Sequence, residues 1–183
     1  EEGLPAGTAS LASLRDPMSS VLLYSDNDSY KQLRDSYGDD VFLAWLQQHD
    51  ISAGTYGSQA DYARDHYPFS TPEQLTQMWQ VIWAFVSSDA EGAAYMKDLL
   101  ARREESPIAD ALGSQTETYS KAGWYPETDG SDAAPASNDA GVVIHGGGST
   151  SYVISVMSTA PSELGKLKGL ISAIDHLMDA EGA

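Results

Sequence analysis

The sequence predicts an α+β fold in which a helical lobe is followed by an antiparallel sheet meander covered by a C-terminal helix. Three observations carry this. Apolar residues recur at helical spacing through the first two thirds of the chain. After Gly113 the pattern turns to β-favouring runs of Thr, Tyr, Val and Ile punctuated by glycine. From Ser162 to Ala180 a helical period returns on Leu164, Leu167, Ile171, Ile174 and Met178. The expected boundaries are 1–113 for the helical lobe and 114–183 for the sheet with its helix, together one domain.

The elements follow in order. Asp28 is expected to cap a short helix in which Tyr30, Leu33 and Tyr37 share a face, and Gly38 ends it. Asp39 and Asp40 precede a second helix beginning Val41-Phe42-Leu43-Ala44-Trp45-Leu46. The strongest signal starts at Thr71-Pro72-Glu73-Gln74, where Thr as N-cap, Pro at the first helical position and Gln three residues on make a reciprocal capping box. Behind it Leu75, Met78, Trp79, Ile82, Trp83 and Val86 form a heavy stripe that buries against other helices. Glu91 to Glu105 reads as a further helix, stopped near Pro107. Thr116 to Trp124 is a strand, and Val142 to His145 and Ser151 to Ser158 form a hairpin about Gly146-Gly147-Gly148. Pro126 to Gly141, rich in small and polar residues, reads as a solvated loop. No internal repeat is present.

Composition narrows the function classes. The 183 residues carry a formal charge of −17, of which −5 falls from Ala122 through Gly165, where no Lys or Arg occurs. Such a surface is unsuited to a nucleic-acid backbone or to anionic lipid. The absence of cysteine excludes a disulfide framework, a thiolate zinc site, an iron–sulfur centre and a cysteine nucleophile. At 42% hydrophobic residues the chain has enough apolar material for a core. The opening Glu1-Glu2-Gly3 shows no signal-peptide pattern, and no apolar run approaches the length of a membrane span.

Candidate chemistry rests on a few short phrases. Ser25-Asp26-Asn27 follows an apolar run and precedes a helix, where Ser, Asp and Asn are also the preferred capping residues. Lys121-Ala122-Gly123 ends a strand, where a lysine is also an ordinary solvated side chain. Ser162 and Lys166 read as a helix cap and a surface lysine. The four histidines, at 49, 66, 145 and 176, are scattered without metal-ligand spacing, and no metal or other cofactor is expected. Glu127 to Asp132 lacks the spacing and terminal Glu of a calcium loop. The triple glycine precedes a strand rather than a helix, so it is a turn and not a phosphate loop.

Taken in order, Ser25-Asp26-Asn27, the Thr71-Pro72-Glu73 helix start, Ser120-Lys121-Ala122-Gly123-Trp124, Ala140 to Ile144, and Tyr152 to Ser158 resemble the penicillin-recognising serine hydrolases. The likeness is to the class A β-lactamase-like branch and runs from about Leu11 to Ala180. It implies a β-lactamase/transpeptidase-like fold, with Ser25 and Lys121 as catalytic groups and Asn27 and Gly123 contacting substrate. In that family a Ser-x-x-Lys serine attacks an acyl group. The Ser-Asp-Asn serine relays protons, the Asn contacts the substrate amide, and the strand lysine steadies charge and holds the substrate carboxylate. Asp26 holds its loop through local backbone hydrogen bonds.

The departures are concrete. The lysines are 31, 97, 121, 166 and 168, and three residues before them stand Asp28, Ala94, Thr118, Glu163 and Gly165, so the chain contains no Ser-x-x-Lys. Alone, it is expected to be inactive by the family's covalent route. No Glu occurs between Val41 and Pro72, where a deacylating glutamate belongs, and Ala122 replaces the usual Thr or Ser. The resemblance also implies that the domain is incomplete and that its final strand pairs with a strand absent here. Tyr152 to Met157 would then be an open edge for an N-terminal segment of the same protein or for self-association. Two readings follow: a β-lactamase-like serine hydrolase domain acting on β-lactam or peptidoglycan-type substrates, and a non-catalytic cell-surface binding or structural domain. Either is expected to work outside the cytoplasmic membrane of a bacterium, with a small-molecule or peptidoglycan-type partner.

Overall fold

In the computed structural model, which describes residues 11–38, 40–52, 70–126, 135–146 and 151–182, helices cover both faces of one three-stranded sheet. Among the described residues six helices come first: α1 (Leu11–Tyr24), α2 (Asn27–Tyr37), α3 (Asp40–Gln48), α4 (Pro72–Val86), α5 (Ala93–Arg102) and α6 (Pro107–Leu112). Strands β1 (Thr116–Tyr125), β2 (Ala136–His145) and β3 (Ser151–Ser158) follow, then a 3-10 turn (Leu164–Leu167) and α7 (Lys168–Gly182). The architecture is the α+β arrangement read from the sequence, with the meander in the order β1-β2-β3, antiparallel throughout.

Strand alternation divides the core in two. Val143, Tyr152, Ile154 and Val156 point to one face and pack with Ile108 of α6, Leu167 of the 3-10 turn and Ile171 of α7. Ala140 and Val142 point to the other and meet Trp79, Val86 and Leu100 of α4 and α5. Each fully buried Val, Leu or Ile here stabilises the fold by roughly 1.5–3 kcal/mol relative to exposure. Gly141 sits where the sheet is tightest: a Cβ there would stand 2.3 Å from the Tyr119 carbonyl oxygen.

Several local expectations hold in detail. Thr71 caps α4, its hydroxyl accepting from the Gln74 N–H at 3.1 Å, with Pro72 at the first helical position. Gly38, at φ 74°, ends α2 and donates its N–H to the Arg34 carbonyl. The Gln74 side chain does not close a reciprocal box. It is buried and donates instead to the Ser52 carbonyl, joining α4 to the segment after α3.

Four expectations are corrected. The N-cap of α2 is Asp26 and not Asp28, because Asp26 has extended backbone and accepts from the Ser29 N–H at 2.7 Å. Residues 136–141 are not loop. They extend β2, since Ser137 and Asp139 find buried partners and the small residues fit between two flanking strands. Pro107 starts a helix, whereas the preceding one already ends at Arg102: Ser106 accepts from the Ala109 N–H at 3.0 Å and Pro107 occupies the first turn of α6. Ser162 caps no helix. At φ 49° its N–H donates to the Tyr125 and Ala136 carbonyls, and the helix proper begins at Lys168. His66, residues 127–132 and glycines 147 and 148 lie outside the described residues.

Candidate active site

The site is assembled where the end of α1 meets β1. Ser25 closes α1 with φ 56°, a left-handed conformation that costs a side-chain-bearing residue on the order of 1 kcal/mol. Its N–H donates to the Val21 carbonyl at 3.0 Å and the Asp26 N–H to that of Ser20 at 3.3 Å. The chain then turns directly into α2, capped by Asp26. Ser29 holds the Asp26 carboxyl below its ordinary value by hydrogen bonding to the anion. Asp26 is therefore committed to the loop, and Ser25 presents its hydroxyl from a sharply bent backbone.

Two consecutive residues after α5 fix that bend against the sheet. The Glu104 N–H donates to the Leu23 carbonyl at 3.1 Å. The Arg103 guanidinium donates to the carbonyls of Leu100 (2.9 Å), Ala101 (2.9 Å) and Thr118 (2.6 Å), and also to the Thr118 hydroxyl. One turn thus binds both the helix end that carries Ser25 and the strand that carries Lys121.

Lys121 lies on the face of β1 shared with Tyr119, which packs toward α4 and α5. Its ammonium donates to Ser25 Oγ and to the Ala122 carbonyl at 2.6 Å, and it lies 5.9 Å from the centre of the Trp124 indole ring. Burial pushes the Lys121 amine below its ordinary value, and the negative charge of Asp139 opposes that shift. An ammonium that donates to a hydroxyl oxygen leaves the hydroxyl hydrogen free to point at a third group. The third ammonium N–H has no hydrogen-bond partner among the described residues.

Behind the strand lies a buried polar cluster. Asp139 is fully buried; its Oδ2 accepts from the Ile108 N–H at 3.0 Å and the Ser106 hydroxyl at 3.2 Å. Ser106 Oγ also lies 2.8 Å from Ser120 Oγ. Asp139 Oδ1 has no partner among the described residues. Burial raises the Asp139 carboxyl to about 6, with the hydrogen bonds and the nearby Arg103 charge pulling the other way. Burial likewise lowers Arg103, which stays charged because a guanidinium starts so high.

The structure brings Ser25 and Lys121 into contact. Asn27 and Gly123, each two residues further along, are exposed beside them, and a Cβ at Gly123 would meet open space. Ala122 is buried opposite Asp139, its cross-strand partner. Sequence reading missed Arg103, Ser106 and Asp139. Ser106-Pro107 was a legible helix start; a single Asp amid small residues carried no signal. A cavity of about 620 Å³ lined by Arg103, Ser106, Thr118 and Tyr119 lies beside this region, and neither Ser25 nor Lys121 lines it. The chemical groupings, rather than that hollow, mark the candidate site.

A profile of the β-lactamase enzyme family matches residues 3–177. Solved structures agree. The TLA-1 extended-spectrum β-lactamase superposes with a TM-score of 0.71 at 16% identity, over 92% of this chain and 64% of that one. A β-lactamase from Chitinophaga pinensis gives 0.68 at 18% identity, over 98% and 73%. PBP-A gives 0.67 at 16%, over 91% and 62%. No curated protein sequence matches the chain. The fold is thus that of a class A-like penicillin-recognising serine hydrolase, and the chain belongs to the β-lactamase enzyme family. It spans less than two thirds of the length of TLA-1. Among the described residues no helix is long and apolar enough to cross a membrane.

Proposed function

We propose that this chain carries part of a serine hydrolase site for acyl transfer or hydrolysis on β-lactam or peptidoglycan-type substrates, working at the bacterial cell surface or outside the cell. Ser25 relays a proton, Lys121 supplies positive charge, Asn27 contacts the substrate amide, and Gly123 admits the substrate to the strand backbone. The observation that supports this reading is the hydrogen bond from Lys121 to Ser25, which unites the Ser-Asp-Asn and Lys-x-Gly phrases. With no Ser-x-x-Lys in these 183 residues, the acylated serine has to be supplied from outside them.

A second reading, a non-catalytic binding or structural domain on the same scaffold, is favoured by Ala122 and by the absence of Glu between Val41 and Pro72. A methyl group donates no hydrogen bond to a substrate carboxylate. A fluorescent penicillin separates the readings. It leaves the 183-residue chain unlabelled and acylates it once a Ser-x-x-Lys segment is supplied. Ser25→Ala and Lys121→Ala then each lower labelling about a hundredfold or more. Unchanged labelling in both variants overturns the site assignment, labelling of the chain alone overturns the nucleophile argument, and no labelling with the segment present leaves the binding domain.

The partner proposal concerns β3, whose outer edge pairs with no strand among the described residues. An N-terminal segment of the same protein or a second copy would cover it. Light scattering on the eluting chain should find self-association. A monomer whose outward β3 amides exchange slowly with deuterium would refute it.

A further inference from the structure

Away from the candidate active site, the end of β2, the start of β3 and the last turns of α7 converge on three metal-ligating side chains. His145 Nε2 lies 2.8 Å from Asp175 Oδ1 and 3.6 Å from Asp179 Oδ1, and all three residues offer donor atoms within 4.8 Å of one another. Asp175 and Asp179 are four apart on α7, which stacks them on one helix face. The imidazole comes from a different element 30 residues earlier, so the cluster exists only when α7 is docked on the sheet.

The separations suit a small ion. Zinc bonds of about 2.0–2.2 Å to nitrogen and oxygen in tetrahedral array put neighbouring donors roughly 3.3–3.5 Å apart. The two observed separations from Nε2 bracket that spacing. The Tyr152 hydroxyl donates to Asp175 Oδ1 at 2.5 Å, and its ring stacks near the His145 ring with centroids 6.2 Å apart. That is the outer-shell contact which orients a ligating carboxylate. His145 and Asp175 are largely covered, with side chains 18% and 14% exposed, whereas Asp179 is half exposed and leaves a path for entry.

We propose that His145, Asp175 and Asp179 form a binding site for a divalent transition-metal ion of the zinc type, with Tyr152 positioning Asp175. One nitrogen and two carboxylate oxygens make a borderline donor set that prefers such ions to magnesium. A water completes the tetrahedron. The bound ion ties the helix end to the strand ends and adds a charge-neutralising contact to an acidic chain.

Zinc chloride titrated into the chain at neutral pH, followed by calorimetry, tests this. One saturable site per chain is expected, with magnesium chloride at the same concentrations giving none. Asp179→Asn, at a half-exposed position, keeps the fold and weakens zinc binding at least about tenfold, and Tyr152→Phe weakens it by about 10–100-fold. His145→Gln, checked as folded by circular dichroism, abolishes it. The proposal is overturned if zinc shows no saturable site, if magnesium binds equally, or if zinc affinity is unaltered in Asp179→Asn and Tyr152→Phe. Those outcomes would leave His145 and Asp175 as a hydrogen-bonded pair holding α7 to the sheet.

Discussion

The Lys121 ammonium donates to the Ser25 hydroxyl, joining a strand to a helix end 96 residues earlier in the chain. Neither residue could hold that position alone. Ser25 is set by a left-handed bend and Lys121 by strand register, and the turn at Arg103 and Glu104 binds the two supports together.

Burial of the Lys121 ammonium implies a specific pH dependence. Its folded value lies below the ordinary 10.5, so the folded chain holds fewer protons than the unfolded chain between the two values. Stability therefore rises with pH across the window just below 10.5 on account of this group. Lys121→Met removes that rise while keeping the side-chain volume, and urea midpoints through the alkaline range should show it. Identical profiles for the two proteins would refute the account.

Asp139 gives the opposite sign. Its folded value is about 6 against 3.8 for an ordinary carboxyl, so the folded chain holds the extra proton between them. The contribution is fully present below about 3.8 and is lost as pH rises through about 6. The total is on the order of 3 kcal/mol for a shift of about two units. Asp139→Asn should flatten that fall, read from urea unfolding at several pH values between 4 and 7 (roughly the titration window). Parallel curves for the two proteins would count against the burial of a titrating carboxyl.

Arg103 should be irreplaceable by lysine. Its planar fork serves three carbonyls and the Thr118 hydroxyl at once, a geometry a single ammonium does not reproduce. Arg103→Lys and Arg103→Ala are both expected to cost about 2–4 kcal/mol in chemical denaturation, since several hydrogen bonds to a charged donor are lost. Full rescue by lysine would show that charge, not geometry, holds the turn.

Two glycines should part company. An added Cβ at Gly141 would stand 2.5 Å from Ser120 Cβ and closer still to the Tyr119 carbonyl, whereas at Gly123 it meets nothing within 4 Å. Gly141→Ala should destabilise by roughly 1–3 kcal/mol or more. Gly123→Ala should stay within about 0.5 kcal/mol of the parent in thermal or urea unfolding. Equal effects would contradict the packing described for β1 and β2.

Much of the architecture was legible because the signals were local. Thr71 and Pro72 announced α4, the apolar stripe from Leu75 to Val86 announced its buried face, and Ser151 to Ser158 matched β3 residue for residue. What was misread depended on partners far away. Ser137 to Gly141 has the composition of a loop, and it becomes strand because Ile108, Ser106 and the flanking β1 and β3 satisfy and enclose it. Ser162 reads as a helix cap, yet its N–H is drawn to the carbonyls of Tyr125 and Ala136, while Lys166 is the surface lysine expected.

The sequence by itself determined the class of fold, the order of its elements, and the two short phrases around Ser25 and Lys121, since periodicity, capping and residue order are properties of neighbouring positions. Only the tertiary structure decided that those phrases touch, that Asp139 lies buried behind them, and that His145 meets Asp175 and Asp179. Those contacts join residues 30 to 96 positions apart, and their strength comes from burial and geometry that no local stretch of chain contains.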